Sequence, residues 1–335
     1  MPAVLLDGLR MTNATQSYID AMHAILSHRG WITCSKSMLT GMTVAGFRFT
    51  VQRSLQVEST TAYNWMAENF IAADFIGIAA SQGAGFNFES TFPLYQKQAV
   101  GMIKESIDNG IGVVVWKDRF VVVAGYDDDK QVLYYSDGEG NEQGIHDRLK
   151  ILAYDDFGRN ETPYWYYQFF ENKIELEEIE IYRESLIQAI YKWETHDPML
   201  PEGEYACGRL AYDAIISAIQ TGDYIAKDGA SVIGYYAGAK RDISLYIREL
   251  STMWPEIVQA AEEYSRVAAI FAEVACLLVE WRQEISDIAL NNQPQVTLLV
   301  ALVQEAKERE ANAIEKLRWW MRESLDNRFH DIGLR

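Results

Sequence analysis

Cysteine is scarce in this chain: Cys34, Cys207 and Cys276 are the whole supply among 335 residues. Three thiols cannot all pair with one another, none belongs to a C-x-x-C motif, and their scatter matches no metal-ligand spacing. Buried free thiols in a reducing compartment are the expected state. Long apolar runs are also missing. Without about 18 consecutive apolar residues no transmembrane span is expected. The opening Met1-Pro-Ala-Val-Leu-Leu-Asp-Gly-Leu-Arg10 lacks a basic segment followed by an apolar stretch, so no signal peptide is expected and the location reads as cytoplasmic. Positive charge is the third shortage. Lys and Arg total 30 against 48 Asp and Glu, a formal net charge of -18. Such a surface repels phosphate backbones, which argues against nucleic acid and anionic membranes as partners. A cationic small molecule or a basic protein patch is tolerated. Histidines and cysteines nowhere show metal-ligand spacing, and Gly83-Ala-Gly85-Phe86 is a G-x-G in a loop without the strand and helix that flank a phosphate cradle. No metal and no cofactor is expected.

What is present suits a globular protein. Hydrophobic residues make up 49% and aromatics 12%, and the length favours two domains. From Thr12 the sequence turns helical, with Tyr18, Met22, Ile25 and Leu26 on one stripe, Thr12, Asn13 and Thr15 as candidate caps, and Gly30 as the stop. A short helix is expected over Lys36 to Met42, and a longer one from Phe92 to Asn109. Arg48–Gln52 and Phe75–Ala79 read as strands. Val113–Trp116, Phe120–Ala124 and Val132–Tyr135 are apolar or aromatic runs separated by Lys117-Asp118-Arg119 and Asp127–Lys130, which predicts successive antiparallel strands. Tyr164–Phe170 adds a last one. After Asn172 the spacing becomes helical, in segments near 176–195, 204–221, 226–250, 255–290 and 294–325, punctuated by Pro201, Gly222, Pro255 and Pro294. The expected fold is therefore α+β over residues 1–172, a helix plus an antiparallel sheet, followed by an all-α domain over 173–335.

One order of elements carries more. A helix begins near Gln16-Ser17; much later comes Phe120-Val-Val-Val-Ala-Gly-Tyr-Asp127, then a strand ending in Asp137. This order resembles the papain-like peptidases of the bacteriocin-processing type and the N-terminal domain of the butirosin biosynthesis protein H family, an acyltransferase on the same scaffold. Met38–Val51 is similar to the segment after the nucleophile helix in the latter, and Ala99–Trp116 matches with its Ile107-Asp-Asn-Gly110 turn. Gly208–Tyr212 and Gly234–Pro255 are similar to its helical half. The resemblance implies a papain-like N-terminal domain. It also implies a nucleophile at the first turn of the helix, a base directly before the Phe-Val-Val-Val strand, and an orienting Asp on the next strand. Those positions hold Ser17, Arg119 and Asp137. Asn13 and Gln16 are the candidates for an oxyanion hole or cleft wall.

The departures are chemical. Serine needs a base to take its proton, and a guanidinium stays protonated in proteins. Losing a triad nucleophile or base costs on the order of a millionfold in a serine protease. Arg119 is expected instead to form a bidentate salt bridge with Asp137. The leading expectation is a catalytically silent relative whose old cleft binds a peptide, an acyl-carrier-bound group or a small molecule. The alternative is an active acyltransferase, amidase or peptidase with a shifted catalytic set, Cys34 being the alternative nucleophile. His23 lies six positions after Ser17 and points about 120° away from it, His28 suits the helix end, and His146 is placed by nothing in the sequence. A third reading makes the helical half a partner or oligomerisation surface. The sequence leaves the oligomeric state open.

Overall fold

The computed structural model describes residues 3–14, 16–139, 149–284 and 292–331, with the side chains of 282–284 and 323–331 left aside. Along the chain the elements run β1 (Val4–Leu5), α1 (Ser17–His28), α2 (Lys36–Met42), β2 (Thr50–Gln52), α3 (Trp65–Asp74), β3 (Ile78–Phe86), α4 (Phe92–Asp108), β4 (Val113–Trp116), β5 (Phe120–Asp127) and β6 (Val132–Ser136). There follow β7 (Lys150–Ala153), β8 (Tyr164–Lys173), α5 (Glu178–Glu194), β9 (Tyr205–Cys207), α6 (Arg209–Thr221), α7 (Ala226–Met253), α8 (Val258–Glu284) and α9 (Gln293–Asp331). Among the described residues these make nine α-helices, a seven-stranded antiparallel sheet and a two-stranded ribbon. No helix of the described residues is long and apolar enough to cross a membrane. The expected cap Thr15, His146 and the last residues of the 255–290 segment lie outside the described residues.

The chain divides into two compact units, Met1–Leu39 with Trp65–Leu176, and Thr40–Asn64 with Glu177–Arg335. This differs from a single cut after residue 172: residues 40–64 leave the α+β unit and join the helical one. Packing within that unit explains why. A Cβ on Gly41 would overlap the Tyr246 ring, so only glycine lets the backbone lie there. Phe47 meets Tyr246 and Tyr264 edge-on, and Phe49 meets Tyr212, Tyr236 and Phe271. Thr50–Gln52 pairs with Tyr205–Cys207, so the strand expected at 48–52 forms but not in the main sheet.

In the α+β unit the sheet order is β3-β8-β4-β5-β6-β7, with β1 added beside β5. Every residue of β5 is buried, so both sheet faces are covered. Trp116, Phe120 and Tyr166 share one face, where Tyr18 of α1 and Trp65 of α3 pack against Phe120 at 5.5 and 5.2 Å. A bulge at Ala124 then reverses the alternation, because Val123 faces Tyr135 while Gly125 already faces Tyr134. Tyr126 is thereby turned to the opposite face, where its hydroxyl donates to Asp108 at the end of α4 at 2.7 Å. That carboxylate, holding the phenolic proton, pushes the Tyr126 pKa up to about 12. The glycines expected in a loop, Gly83 and Gly85, lie instead within β3, where the Tyr167 and Trp165 rings of β8 lean over them.

In the helical unit α7 and α9 are joined by a buried ion pair. Lys240 Nζ lies 2.8 and 2.7 Å from the two Glu310 oxygens, with side chains 2% and 5% exposed. The ammonium also faces the Phe49 ring at 4.3 Å, and Tyr212 donates to Glu310. Burial pushes the Lys240 pKa down from its ordinary value, against the pull of Glu310. Glu310→Ala strands that ammonium in an apolar interior and is expected to cost about 3–5 kcal/mol in urea unfolding. Adding Lys240→Met is expected to recover most of the loss. A double variant no more stable than Glu310→Ala would show that the charge is not what the helices organise around.

Candidate functional site

The residues singled out by the resemblance to papain-like proteins converge at one end of α1. Ser17 is the first residue of that helix, and Gln16, buried, precedes it with an extended backbone. The Gln16 carbonyl accepts from the Asp20 amide at 2.9 Å, closing the first turn. Tyr18, the next residue, fixes the rotation of the helix. Its hydroxyl lies 2.8 Å from Gln168 Oε1 and 3.0 Å from the Asn69 carbonyl, and the Gln168 amide donates to the same carbonyl at 3.1 Å. The polar ends of a buried tyrosine and glutamine are thus satisfied on the sheet face that α1 covers. Ser17 is left at the rim, and the Phe120 amide donates to its Oγ at 3.3 Å.

The approach to α1 is tied down by charge. Asp20, 1% exposed, accepts from the Ala14 amide at 3.1 Å and from Lys36 Nζ at 2.7 Å. Lys36 also donates to the Thr12 hydroxyl at 2.9 Å and to the Thr12 carbonyl. The Met11 amide donates to Ser136 Oγ at the end of β6 at 3.2 Å. A carboxylate in the first turn favours the helix through its dipole.

Arg119 sits at the turn between β4 and β5, which Asp118 closes with a φ of 58°. Its Nη2 donates to Asn13 Oδ1 at 2.8 Å, and its Nη1 stands 3.6 Å from Glu139. Its Nε is buried without a hydrogen-bond partner among the described residues. Gly138, at φ 76°, brings the turn after β6 against Asn13, where a Cβ would stand 2.5 Å from Asn13 Oδ1. Asp137 accepts from the Glu139 amide at 3.1 Å and forms an ion pair with Lys150, which also reaches Glu139 at 2.9 Å. These hydrogen bonds, that to Asp137 foremost, hold the Lys150 ammonium above its usual range.

The expected Arg119–Asp137 salt bridge is therefore corrected: Arg119 turns to Asn13 and Glu139, and Asp137 to Lys150. The reason is the β6–β7 register, which sets Lys150 across from Tyr135, two residues before Asp137. The Lys150 ammonium takes the carboxylate from that side. Asn13, Ser17, Arg119 and Asp137 are nonetheless neighbours through these contacts. Cys34 is elsewhere. Its carbonyl accepts from His23 Nε2 at 2.9 Å, while Nδ1 lies 3.5 Å from Ser27 Oγ. His23 stands about 9 Å along the helix from Ser17, six residues at 1.5 Å each. His28 is bound to the Asp7 carbonyl at 2.9 Å. No group of three or more His, Cys, Asp or Glu side chains among the described residues is arranged to hold a metal ion.

The partners that sequence reasoning missed are Asp20, Lys36, Glu139 and Lys150. An acid in a helix's first turn was a readable signal for Asp20; Lys36 and Lys150 reach the cluster from separate elements and have none. No family model and no curated protein sequence matches the chain.

The geometry yields a test of the mapping. In Ser17→Cys/Arg119→His the new imidazole should lie within reach of the new thiol and lower its pKa below the ordinary value of about 8.5. The pH profile of iodoacetamide alkylation, read at residue 17 by peptide mass, should then shift down relative to Ser17→Cys alone. Superimposable profiles would separate the two positions.

Proposed function

We propose that the α+β unit is a papain-like scaffold, of the kind found in the butirosin biosynthesis protein H family, that has given up its reaction. Its cleft would hold a peptide, an acyl group on a carrier, or a small molecule without transforming it. The observation that carries this reading is the pairing at Ser17: the Phe120 amide donates to its Oγ at 3.3 Å, and the residue before Phe120 is an arginine. Neither group accepts a proton, so among the described residues these partners of Ser17 do not draw the hydroxyl proton away. Asp20 in the first turn is engaged by Lys36 and the Ala14 amide and so is not available as a base. The former orienting carboxylate is engaged by Lys150.

What the cluster retains is a means of binding. Arg119 offers a planar, permanently charged donor, held by Asn13 at 2.8 Å and facing Glu139, at the rim of α1. A guest carboxylate or carbonyl would compete with Glu139 for it. The test is a panel of acyl thioesters and peptides assayed for hydrolysis and transfer. Wild type and Ser17→Ala are expected to give the same background rate. Turnover well above background that vanishes in Ser17→Ala would overturn the reading.

The approach of His23 to Cys34 favours a second reading, an acyltransferase or amidase built on that thiol. Since His23 is used to hold the Cys34 carbonyl, this reading requires a thiol of depressed pKa. Iodoacetamide alkylation of Cys34 with an ordinary inflection near 8.5 would remove it.

A further inference from the structure

β3 closes one end of the sheet and pairs with β8 alone. It is nine residues long, Ile78-Ala-Ala-Ser-Gln-Gly-Ala-Gly-Phe86, and its only irregularity lies at the start, between Ala79 and Ala80. Edge strands are ordinarily protected by lysine, proline, shortness or a central bulge. β3 has no charge and no proline, and Ala79, Ala84 and Phe86 are exposed along it. Its backbone groups on the side away from β8 form no backbone hydrogen bond with other described residues, and the Phe86 carbonyl at its end accepts from Trp165 Nε1 at 3.3 Å.

The sheet face on the α4 side gives this edge a relief. A Cβ on Gly83 would lie 2.7 Å from the Tyr167 ring and one on Gly85 2.9 Å from the Trp165 ring, so both rings, themselves buried, lie over the glycines. Trp165, Tyr167 and Phe169 stack in series at 6.3 and 6.2 Å. Where the series ends, a cavity of about 350 Å³ opens, lined by Ser81, Met102, Glu105, Asn109, Phe169 and Glu171 among others. Its floor is apolar, its charged groups are two carboxylates, and Ser81 donates to one of them, Glu171.

We propose that the open edge of β3 is a docking site for an extended, basic segment of a partner protein. The segment adds as an eighth strand through main-chain hydrogen bonds, in the manner of strand addition. Its side chains pass over Gly83 and Gly85, beside the buried Trp165 and Tyr167 rings, and a lysine or arginine stem crosses the cavity to Glu105 and Glu171. The occupant follows from charge: the pocket is acidic, and a chain of net charge -18 steers cations towards itself and repels a second copy of itself.

The test uses the full chain and two fluorescein-labelled octapeptides, one alternating Lys and Val, the other Glu and Val, followed by fluorescence anisotropy and amide hydrogen exchange. Saturable binding of the basic peptide alone, with slowed exchange confined to residues 79–86, is the expected result. Glu105→Gln/Glu171→Gln should weaken it by about tenfold, the worth of two exposed ion pairs. Ala84→Lys, which places a like charge on the exposed edge, should weaken it independently. Absence of binding, equal binding of the acidic peptide, protection on another strand, or a dimer protecting 79–86 without peptide would each overturn the proposal.

Discussion

A guanidinium keeps its proton at any pH at which the protein is folded, and the chain places one at the head of β5, beside the helix that begins with Ser17. The surrounding contacts follow from the need to hold that cation. Asn13 is held against it by Gly138, whose missing Cβ makes room. Glu139 approaches from the turn after β6. Lys150 then balances the two carboxylates, Asp137 and Glu139, that this turn presents. Across α1, Asp20 and Lys36 form a second charge pair that fixes the incoming chain from Thr12 to Ala14. Each acid is matched by a base, and none of these groups is an imidazole.

The sheet underneath makes the arrangement rigid. α1 and α3 share one face, where Tyr18, Asn69, Gln168 and Tyr166 satisfy one another's buried polar groups. α4 takes the other face, and the bulge at Ala124 sets Tyr126 on it, opposite the face on which Phe120 meets α1. The alternation along β8 separates the Ser17 side, with Tyr166 and Gln168, from the face that carries Trp165, Tyr167, Phe169 and the acidic cavity. The two proposed binding places thus lie on opposite faces of one sheet and can be disabled separately.

Much of this was legible where the determining interactions are local. The Val-rich runs of β4 and β5 and the Lys117-Asp118-Arg119 turn announce a hairpin, and the apolar stripe from Tyr18 announces α1; only the resemblance to papain-like proteins, laid over them, singled out Ser17 and Arg119. Membership of residues 40–64 was not legible. It depends on Gly41, Phe47 and Phe49 fitting aromatic rings, Tyr212 to Phe271, that lie far later in the chain. β3 was underestimated because glycine weakens a strand read by itself, whereas here Tyr167 and Trp165 of the neighbouring strand cover Gly83 and Gly85. The partner of Asp137 was mistaken for a related reason: Lys150 enters through the short β7, whose Lys-Ile-Leu-Ala gives little strand signal, and only the register across β6 brings it to the carboxylate.

The central claim, that Ser17 has no base among the described residues and is not activated, is met most directly by intact-mass spectrometry of the native full chain after incubation with a fluorophosphonate, which adds covalently only to an activated serine. The account predicts an unmodified mass after hours at neutral pH, in wild type and Ser17→Ala alike. A stoichiometric adduct mapped to Ser17 and absent from Ser17→Ala would contradict it.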